Sequence, residues 1–275
     1  MNDSLSANLL KSFIGDIRTC VIILFSSFVL GVVMNSNVMA DPLMIAHAGG
    51  GIDGVSYTNS IEALDSNYEK GFRYFEIDFS WTSDNQLVCL HDWGKRFKQN
   101  FGFKTKSALS FKQFQELLDK SKNRHPCTLE TLSNWVRLHP DSTIITDVKY
   151  GNINAITHIK EYYPDLVSHL IPQFYQPKEY SVLKQMGFDK LIWILYQFEG
   201  KKSSVVDHVK DMQLFAISMR ASQVKKKWAR QLINNNQSVF IYTINKLKVI
   251  NKLTEKYGVK GIYTDFLPFL NSANN

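Results

Sequence analysis

From residue 43 onward, short apolar runs rich in branched side chains alternate with stretches whose apolar positions recur every three or four residues. The runs predict strands at 43–47, 74–79, 87–91, 143–149, 170–174, 191–196, 214–219, 238–244 and 261–264, because branched and aromatic residues suit a pleated, half-buried backbone. The helical spacing predicts helices at 59–70, 110–120, 129–138, 153–162, 178–186, 224–234 and 247–257. No Pro/Gly/Ser-rich linker interrupts the series. Repeated strand-then-helix units over about 230 residues predict an α/β fold of the TIM (β/α)₈ barrel type, as one domain at 41–275. Nine strands are one too many for such a barrel. Residues 80–86 are too few for a crossover helix, so the regular unit is broken between the second and third strands. An open doubly wound sheet is the competing architecture, but no G-x-G-x-x-G turn follows the first strand.

Ahead of the first strand the pattern changes. Lys11 and Arg18 precede an apolar run from Cys20 to Met34, then polar Asn35-Ser36-Asn37 and Val38-Met39-Ala40. This order predicts a secretory signal peptide at 1–40, cleaved after Ala40. The run is short for a spanning helix, which needs about 20 residues. An uncleaved anchor through residues 19–34 is the other reading. Both place the folded body outside the cytoplasm, periplasmic or secreted.

The chain has 275 residues, 44% of them hydrophobic, enough for one large core. Its formal charge is +7, and loss of residues 1–40 removes two basic and two acidic residues, leaving that charge unchanged. A basic balance favours anionic partners such as phosphate esters or acidic lipid surfaces. Nucleic acid is not expected: there is no zinc-type Cys spacing, helix-turn-helix pattern or aromatic ribonucleoprotein motif. Of three cysteines, Cys89 and Cys127 lie outside the N-terminal segment. Cys89 stands inside an apolar strand and reads as a small buried side chain rather than half of a disulfide.

Three strands carry chemistry. In Tyr74-Phe75-Glu76-Ile77-Asp78-Phe79, the strand period of two puts Glu76 and Asp78 on one face and three apolar residues on the other. Two like charges on one wall are costly unless a cation neutralises them, and hard carboxylate oxygens suit Mg²⁺ or Ca²⁺. In Thr146-Asp147-Val148-Lys149, Asp147 and Lys149 share a face, which reads either as an ion pair at the strand mouth or, beside the first two acids, as a third cation ligand with Lys149 a partner for a phosphate oxygen. His47 and His91 end apolar strands, where barrel enzymes keep their reactive groups, and each is a candidate proton donor or acceptor. His125, His139, His158, His169 and His208 lie in helices or loops away from these acidic strands and read as bystanders.

These segments resemble glycerophosphodiester phosphodiesterases in order and spacing. The resemblance runs through His47, Thr58-Asn59-Ser60, Phe75-Glu76-Ile77-Asp78, Thr82-Ser83-Asp84-Asn85 and Leu90-His91-Asp92. It continues through Thr128-Leu129-Glu130, Asp147-Val148-Lys149, Tyr242-Thr243-Ile244-Asn245 and Gly261-Ile262-Tyr263-Thr264-Asp265. It implies a TIM barrel of the phospholipase C-like phosphodiesterase type that hydrolyses glycerophosphodiesters to glycerol 3-phosphate and an alcohol. It further implies an acid/base pair in His47 and His91, and a divalent-cation site at Glu76, Asp78 and Asp147.

Departures from the family pattern bear on substrate. The usual His-Arg-Gly is His47-Ala48-Gly49 here, which removes an Arg that contacts phosphate. The usual Glu-Asn-Thr is Thr58-Asn59-Ser60, which removes a carboxylate, and Glu62 is too far along its helix to replace it. The third ligand is usually Glu, whereas Asp147 matches the Asp-Leu-Lys of the related spider-venom sphingomyelinase D type phospholipases. Arg220, at the end of a strand, is a candidate substitute for the missing Arg.

Two basic clusters remain. Lys95-Arg96-Phe97-Lys98, with Lys104 and Lys106, follows His91 and reads as a solvated loop pinned by aromatic residues, with a lid over an anionic or lipid headgroup, and so a membrane-surface contact, as the alternative. Lys225-Lys226-Lys227 reads as the solvated face of a helix. The expected substrate is a small-molecule or lipid-headgroup phosphodiester. Other readings are a phospholipase D-like enzyme acting on lysophospholipids or sphingolipids, and a non-catalytic barrel that binds a phosphorylated ligand.

Overall fold

A computed structural model describes residues 41–121 and 124–270. The N-terminal segment, with both the signal-peptide and the anchor reading, lies outside the described residues. All nine expected strands form: β1 (Leu43–Ala46), β2 (Tyr74–Trp81), β3 (Leu87–Cys89), β4 (Thr143–Val148), β5 (Leu170–Phe174), β6 (Ile192–Ile194), β7 (Ala216–Arg220), β8 (Val239–Tyr242) and β9 (Gly261–Thr264). Eight pair in parallel, and the contacts of β1 with both β2 and β9 close them into a barrel. The surplus strand is β3. It pairs antiparallel with the end of β2, Phe79 opposite Cys89 and Trp81 opposite Leu87, as one arm of a hairpin outside the ring. Asn85, at φ 59°, takes the left-handed position of the hairpin turn, which Asn tolerates better than most residues.

The helices are α1 (Ile61–Glu69), α2 (Lys95–Phe101), α3 (Phe111–Lys120), α4 (Leu129–Leu138), α5 (Asn152–Tyr162), α6 (Pro164–Val167), α7 (Pro177–Gln185), α8 (Val205–His208), α9 (Lys227–Asn234) and α10 (Leu247–Tyr257). Helix α2 corrects the loop expected after His91. Phe97 and Phe101, four residues apart, bring their rings to 4.8 Å, and Gly102 at φ 83° ends the helix by donating to the Lys98 carbonyl. In the second basic cluster only Lys227 enters a helix, and all three lysines are exposed. Among the described residues no helix is long and apolar enough to cross a membrane.

Strand alternation sorts the core into two shells. Phe75, Ile77, Phe79, Ile144 and Val148 point outward into the layer between strands and helices. Ile45, Ile145, Ile171, Ile192, Ala216, Phe240 and Tyr263 point inward and plug the barrel. Burial of each large apolar side chain stabilises the fold by roughly 1.5–3 kcal/mol, so Ile145→Ala, which opens a hole in the plug, costs about 2–5 kcal/mol. Glu76 stands in register with Ile145 of this plug, and Asp78 and Asp147 lie one pleat beyond it. A third cluster, Val88, Leu90, Phe97 and Phe114 with Trp93 and Phe101 against it, packs α2 and α3 onto the β3 hairpin.

Cys89 is disulfide-bonded to Cys127, which corrects its reading as an unbridged thiol. The physical reason is tertiary. Val88 and Thr128 form an antiparallel bridge, and the Cys89 N–H donates to the Cys127 carbonyl at 2.8 Å, so the segment before α4 runs beside β3 with Cα atoms 4.9 Å apart. The Cys127 N–H in turn donates to the Asn59 carbonyl at 2.8 Å, which fastens this segment to the chain ahead of α1.

Candidate active site

Register in the sheet sets the centre of the site. Asp78 on β2 lies directly beside Asp147 on β4, and Glu76 is one pleat below on the same interior face. One oxygen from each of Glu76, Asp78 and Asp147 lies within 4.8 Å of the others, and all three residues are buried. Each is anchored separately. The Glu76 Oε2 accepts from the Ala48 N–H at 2.8 Å. Asn59 grips Asp78 at both ends, its Nδ2 donating to Oδ2 at 3.0 Å and its Oδ1 accepting from the Asp78 N–H at 2.9 Å. The Asp147 Oδ1 accepts from the Tyr175 hydroxyl at 2.5 Å and the Tyr196 hydroxyl at 2.9 Å.

The Lys149 ammonium spans two of the acids, 2.6 Å from Asp78 and 2.7 Å from Asp147. Burial opposes ionisation of Asp78, but the charges of Lys149, His91 and His47 outweigh it and hold its carboxyl below the usual range. Burial and repulsion from Asp78 push Glu76 the other way, to a raised proton affinity. Its Oε1 is buried with no hydrogen-bond partner among the described residues. Three convergent hard oxygens, one of them unpaired, with a carboxylate that resists carrying its charge alone, fit a divalent cation.

His47 opens a tight turn (His47–Gly49) after β1, in which Ala48 at φ 51° and Gly49 at φ 81° reverse the chain. Its Nδ1 is 2.8 Å from Asp265 Oδ1, and its Nε2 is 3.8 Å from Glu76 Oε2. With a carboxylate accepting at Nδ1, that nitrogen donates and Nε2 faces the cavity. Burial alone would lower the imidazole pKa. The hydrogen bond to Asp265 and the charges of Glu76, Asp265 and Asp78 reverse this and raise it to about 9. Asp265 is itself held by Asn245, whose Nδ2 donates at 2.7 Å to the other oxygen.

His91 follows β3 at the cavity mouth, its Nδ1 2.8 Å from Asp92 Oδ2. The other Asp92 oxygen accepts from the N–H groups of Gly94 and Arg96, so one side chain both orients His91 and starts α2. Tyr57 stands between the histidines, its ring centroid 4.7 Å from His47 and 5.1 Å from His91, edge-on to both. The Arg96 guanidinium lies 3.5 Å from the centre of the Tyr57 ring.

All seven residues singled out from sequence, namely His47, His91, Glu76, Asp78, Asp147, Lys149 and Arg220, line one cavity of about 190 Å³. Arg220, at the end of β7, is the exposed one of the seven. The other histidines stay away from it. His125 pairs with Glu62, which also keeps Glu62 out of the site, while His139 and His169 bond to backbone carbonyls. Thr58 is buried, 3.2 Å from the Ser60 hydroxyl, and Ala48 is fully buried. Sequence reasoning missed Tyr57, Tyr175, Tyr196, Asn245 and Asp265, and gave Asn59 no role. Asn59, Asn245 and Asp265 fall inside segments that carry the resemblance, and that was the only signal for them.

The family model for the glycerophosphoryl diester phosphodiesterase family matches residues 47–268. No curated protein sequence matches the chain. Among solved structures, the fold is similar to a glycerophosphodiester phosphodiesterase of Thermotoga maritima, with TM-score 0.62 and 18% identity over 82% of this chain and 94% of that one. A glycerophosphodiester phosphodiesterase of Parabacteroides distasonis gives TM-score 0.60 and 18% identity over 82% and 94%. A phosphodiesterase of Oleispira antarctica, in complex with the product sn-glycerol-3-phosphate, gives TM-score 0.53 and 16% identity over 82% and 93%.

Proposed function

The chain belongs to the glycerophosphoryl diester phosphodiesterase family, which are phosphoric diester hydrolases, and on that premise we propose that it cleaves glycerophosphodiesters or related lipid-headgroup diesters with His47 and His91 as proton-transfer groups. The observation that carries this reading is the placing of two imidazoles on either edge of Tyr57, above a convergent carboxylate triad, in one cavity. The product named for the Oleispira antarctica structure supports a glycerol 3-phosphate half.

Glu76, Asp78 and Asp147 would hold Mg²⁺ or Ca²⁺, which when bound polarises a phosphoryl oxygen. Lys149 and Arg220 neutralise charge on the phosphoryl oxygens, Lys149 from the cavity wall and Arg220 from its mouth. One imidazole takes the proton of the attacking hydroxyl as its oxygen bonds to phosphorus, and the other returns a proton to the departing oxygen as that P–O bond breaks. The attacking hydroxyl is that of the substrate's own glycerol, giving a cyclic phosphate that water then opens. Asp265, through Nδ1, holds His47 with Nε2 toward the substrate.

With Ala48 in the place of an Arg, the glycerol 3-phosphate half is gripped less tightly than in the family pattern, and this favours testing lysophospholipids beside soluble diesters. Export is supported by the Cys89–Cys127 disulfide, a bond rare in reducing compartments. The test is release of phosphomonoester and alcohol from glycerophosphocholine, glycerophosphoethanolamine and a lysophospholipid, before and after chelation. Turnover that chelation abolishes and Mg²⁺ or Ca²⁺ restores supports the reading. No turnover of any substrate with either ion leaves a phospho-ligand-binding barrel instead.

A further inference from the structure

The chain from Trp93 to Gln115 contains no acidic residue and six basic ones, Lys95, Arg96, Lys98, Lys104, Lys106 and Lys112. Arg96 is occupied, stacked on Tyr57 and bonded to Gln99. The lysines are different. Lys95, Lys98, Lys104 and Lys106 are exposed, and among the described residues none forms an ion pair. Lys95 and Lys98 are one turn apart on α2, and with Lys104 they line a single shallow depression. Beside them Phe103 packs edgewise on buried Phe97, centroids 5.3 Å apart, yet keeps 45% of its surface in solvent. The face lies on the unit that orients His91, because Asp92 both holds that imidazole and caps the start of α2.

We infer that this face docks the protein on an anionic lipid surface, with the four lysines over acidic headgroups and Phe103 at the level of the acyl boundary. The pairing of unpaired ammonium groups with one protruding aromatic ring is the chemistry that binds an acidic interface: the charges supply long-range attraction and the ring enters where the headgroups end. A nucleic acid strand is the weaker occupant. It would call for a row of aromatic faces to stack bases, whereas Phe97 and Phe114 are buried. Docking here would set the cavity mouth beside the membrane, next to diesters released from it. The inference does not depend on which diester is cleaved.

Flotation of the purified full chain with vesicles tests it, using phosphatidylcholine alone and an equimolar mixture with phosphatidylglycerol. Each basic residue near an anionic surface strengthens binding about fivefold. The combined Lys95→Gln, Lys98→Gln, Lys104→Gln, Lys106→Gln variant is therefore expected to bind the mixed vesicles roughly a hundredfold or more weakly. It should keep the circular dichroism spectrum and urea-unfolding midpoint of the parent, which report that it is folded. Phe103→Ser should weaken binding severalfold without altering its salt dependence. Residues 1–40 are common to all these proteins, so any binding they add is unchanged between them. A second readout needs no variant: binding of the parent to mixed vesicles should fall steeply as salt rises. A folded quadruple variant that binds mixed vesicles as tightly as the parent, or whose binding falls with salt as steeply as the parent's, would overturn the proposal. Tighter binding of an oligonucleotide than of mixed vesicles through the same lysines would overturn it too, assigning the face to nucleic acid.

Discussion

His47 and Asp265 are 218 residues apart in the chain and 2.8 Å apart in the fold, joined when β9 closes on β1. Neither partner is free to turn, since Asn245 holds the second Asp265 oxygen and also accepts from the Asp265 and Phe266 N–H groups. Asp265 thus fixes which His47 nitrogen faces the cavity. Asp265→Asn should lower kcat by roughly ten- to a hundredfold while leaving KM nearly unchanged, because the loss falls on proton transfer rather than on substrate grip. Steady-state kinetics on a soluble diester checks this.

Cation binding should release protons and strengthen with pH. Burial and the neighbouring Asp78 charge raise the Glu76 pKa, so in the metal-free protein its carboxyl competes for a proton as pH falls. Because the raised group must ionise to ligate, Mg²⁺ affinity should rise from about pH 6 to about pH 8. Titration calorimetry in buffers of different ionisation enthalpy would measure the proton count, and Glu76→Gln should abolish the pH slope along with most of the affinity.

Lys149 and Arg220 should separate kinetically. Lys149 is wedged between Asp78 and Asp147, so in the proposed mechanism its loss falls on the phosphoryl group and on the acids together. Lys149→Met should cost about a hundredfold or more in kcat. Arg220 is exposed at the cavity mouth, so Arg220→Ala should mainly raise KM, about tenfold, with kcat little changed.

The acidic centre was legible because period-two alternation is a local property: Glu76, Asp78, Asp147 and Lys149 declare their faces within a few residues each. The barrel was legible for the same reason, strand by strand. What the sequence concealed depends on contacts between distant segments. The expected surplus strand could be placed in the β3 hairpin only once Phe79 and Cys89 were seen to pair. Helix α2 spans seven residues between glycines, too short for its periodicity to stand out. Tyr57, Tyr175 and Tyr196 look like ordinary core residues until the fold aims them at His47 and Asp147.

The disulfide was hidden for a similar reason, and it offers a stability test. Cys89 and Cys127 are separated by 38 positions, and closing a loop of that size restricts the unfolded chain by about 3–4 kcal/mol. Cys89→Ala with Cys127→Ala should lose that much or somewhat less in urea unfolding. Because Cys127 is bonded to the Asn59 carbonyl and Asn59 grips Asp78, Mg²⁺ affinity should weaken as well. Unchanged affinity would show that Asn59 is held without the bridge.

The central claim is that two imidazoles and a carboxylate-held cation together cleave a phosphodiester. Its most direct test is the rate of glycerol 3-phosphate release from glycerophosphocholine at saturating Mg²⁺ for the parent, His47→Ala and His91→Ala. General acid and base catalysis each contribute about 10²–10⁴-fold, so both variants should lose at least a hundredfold in kcat. Both should still bind Mg²⁺, since the triad is intact. Parent-like turnover in either variant would contradict the account.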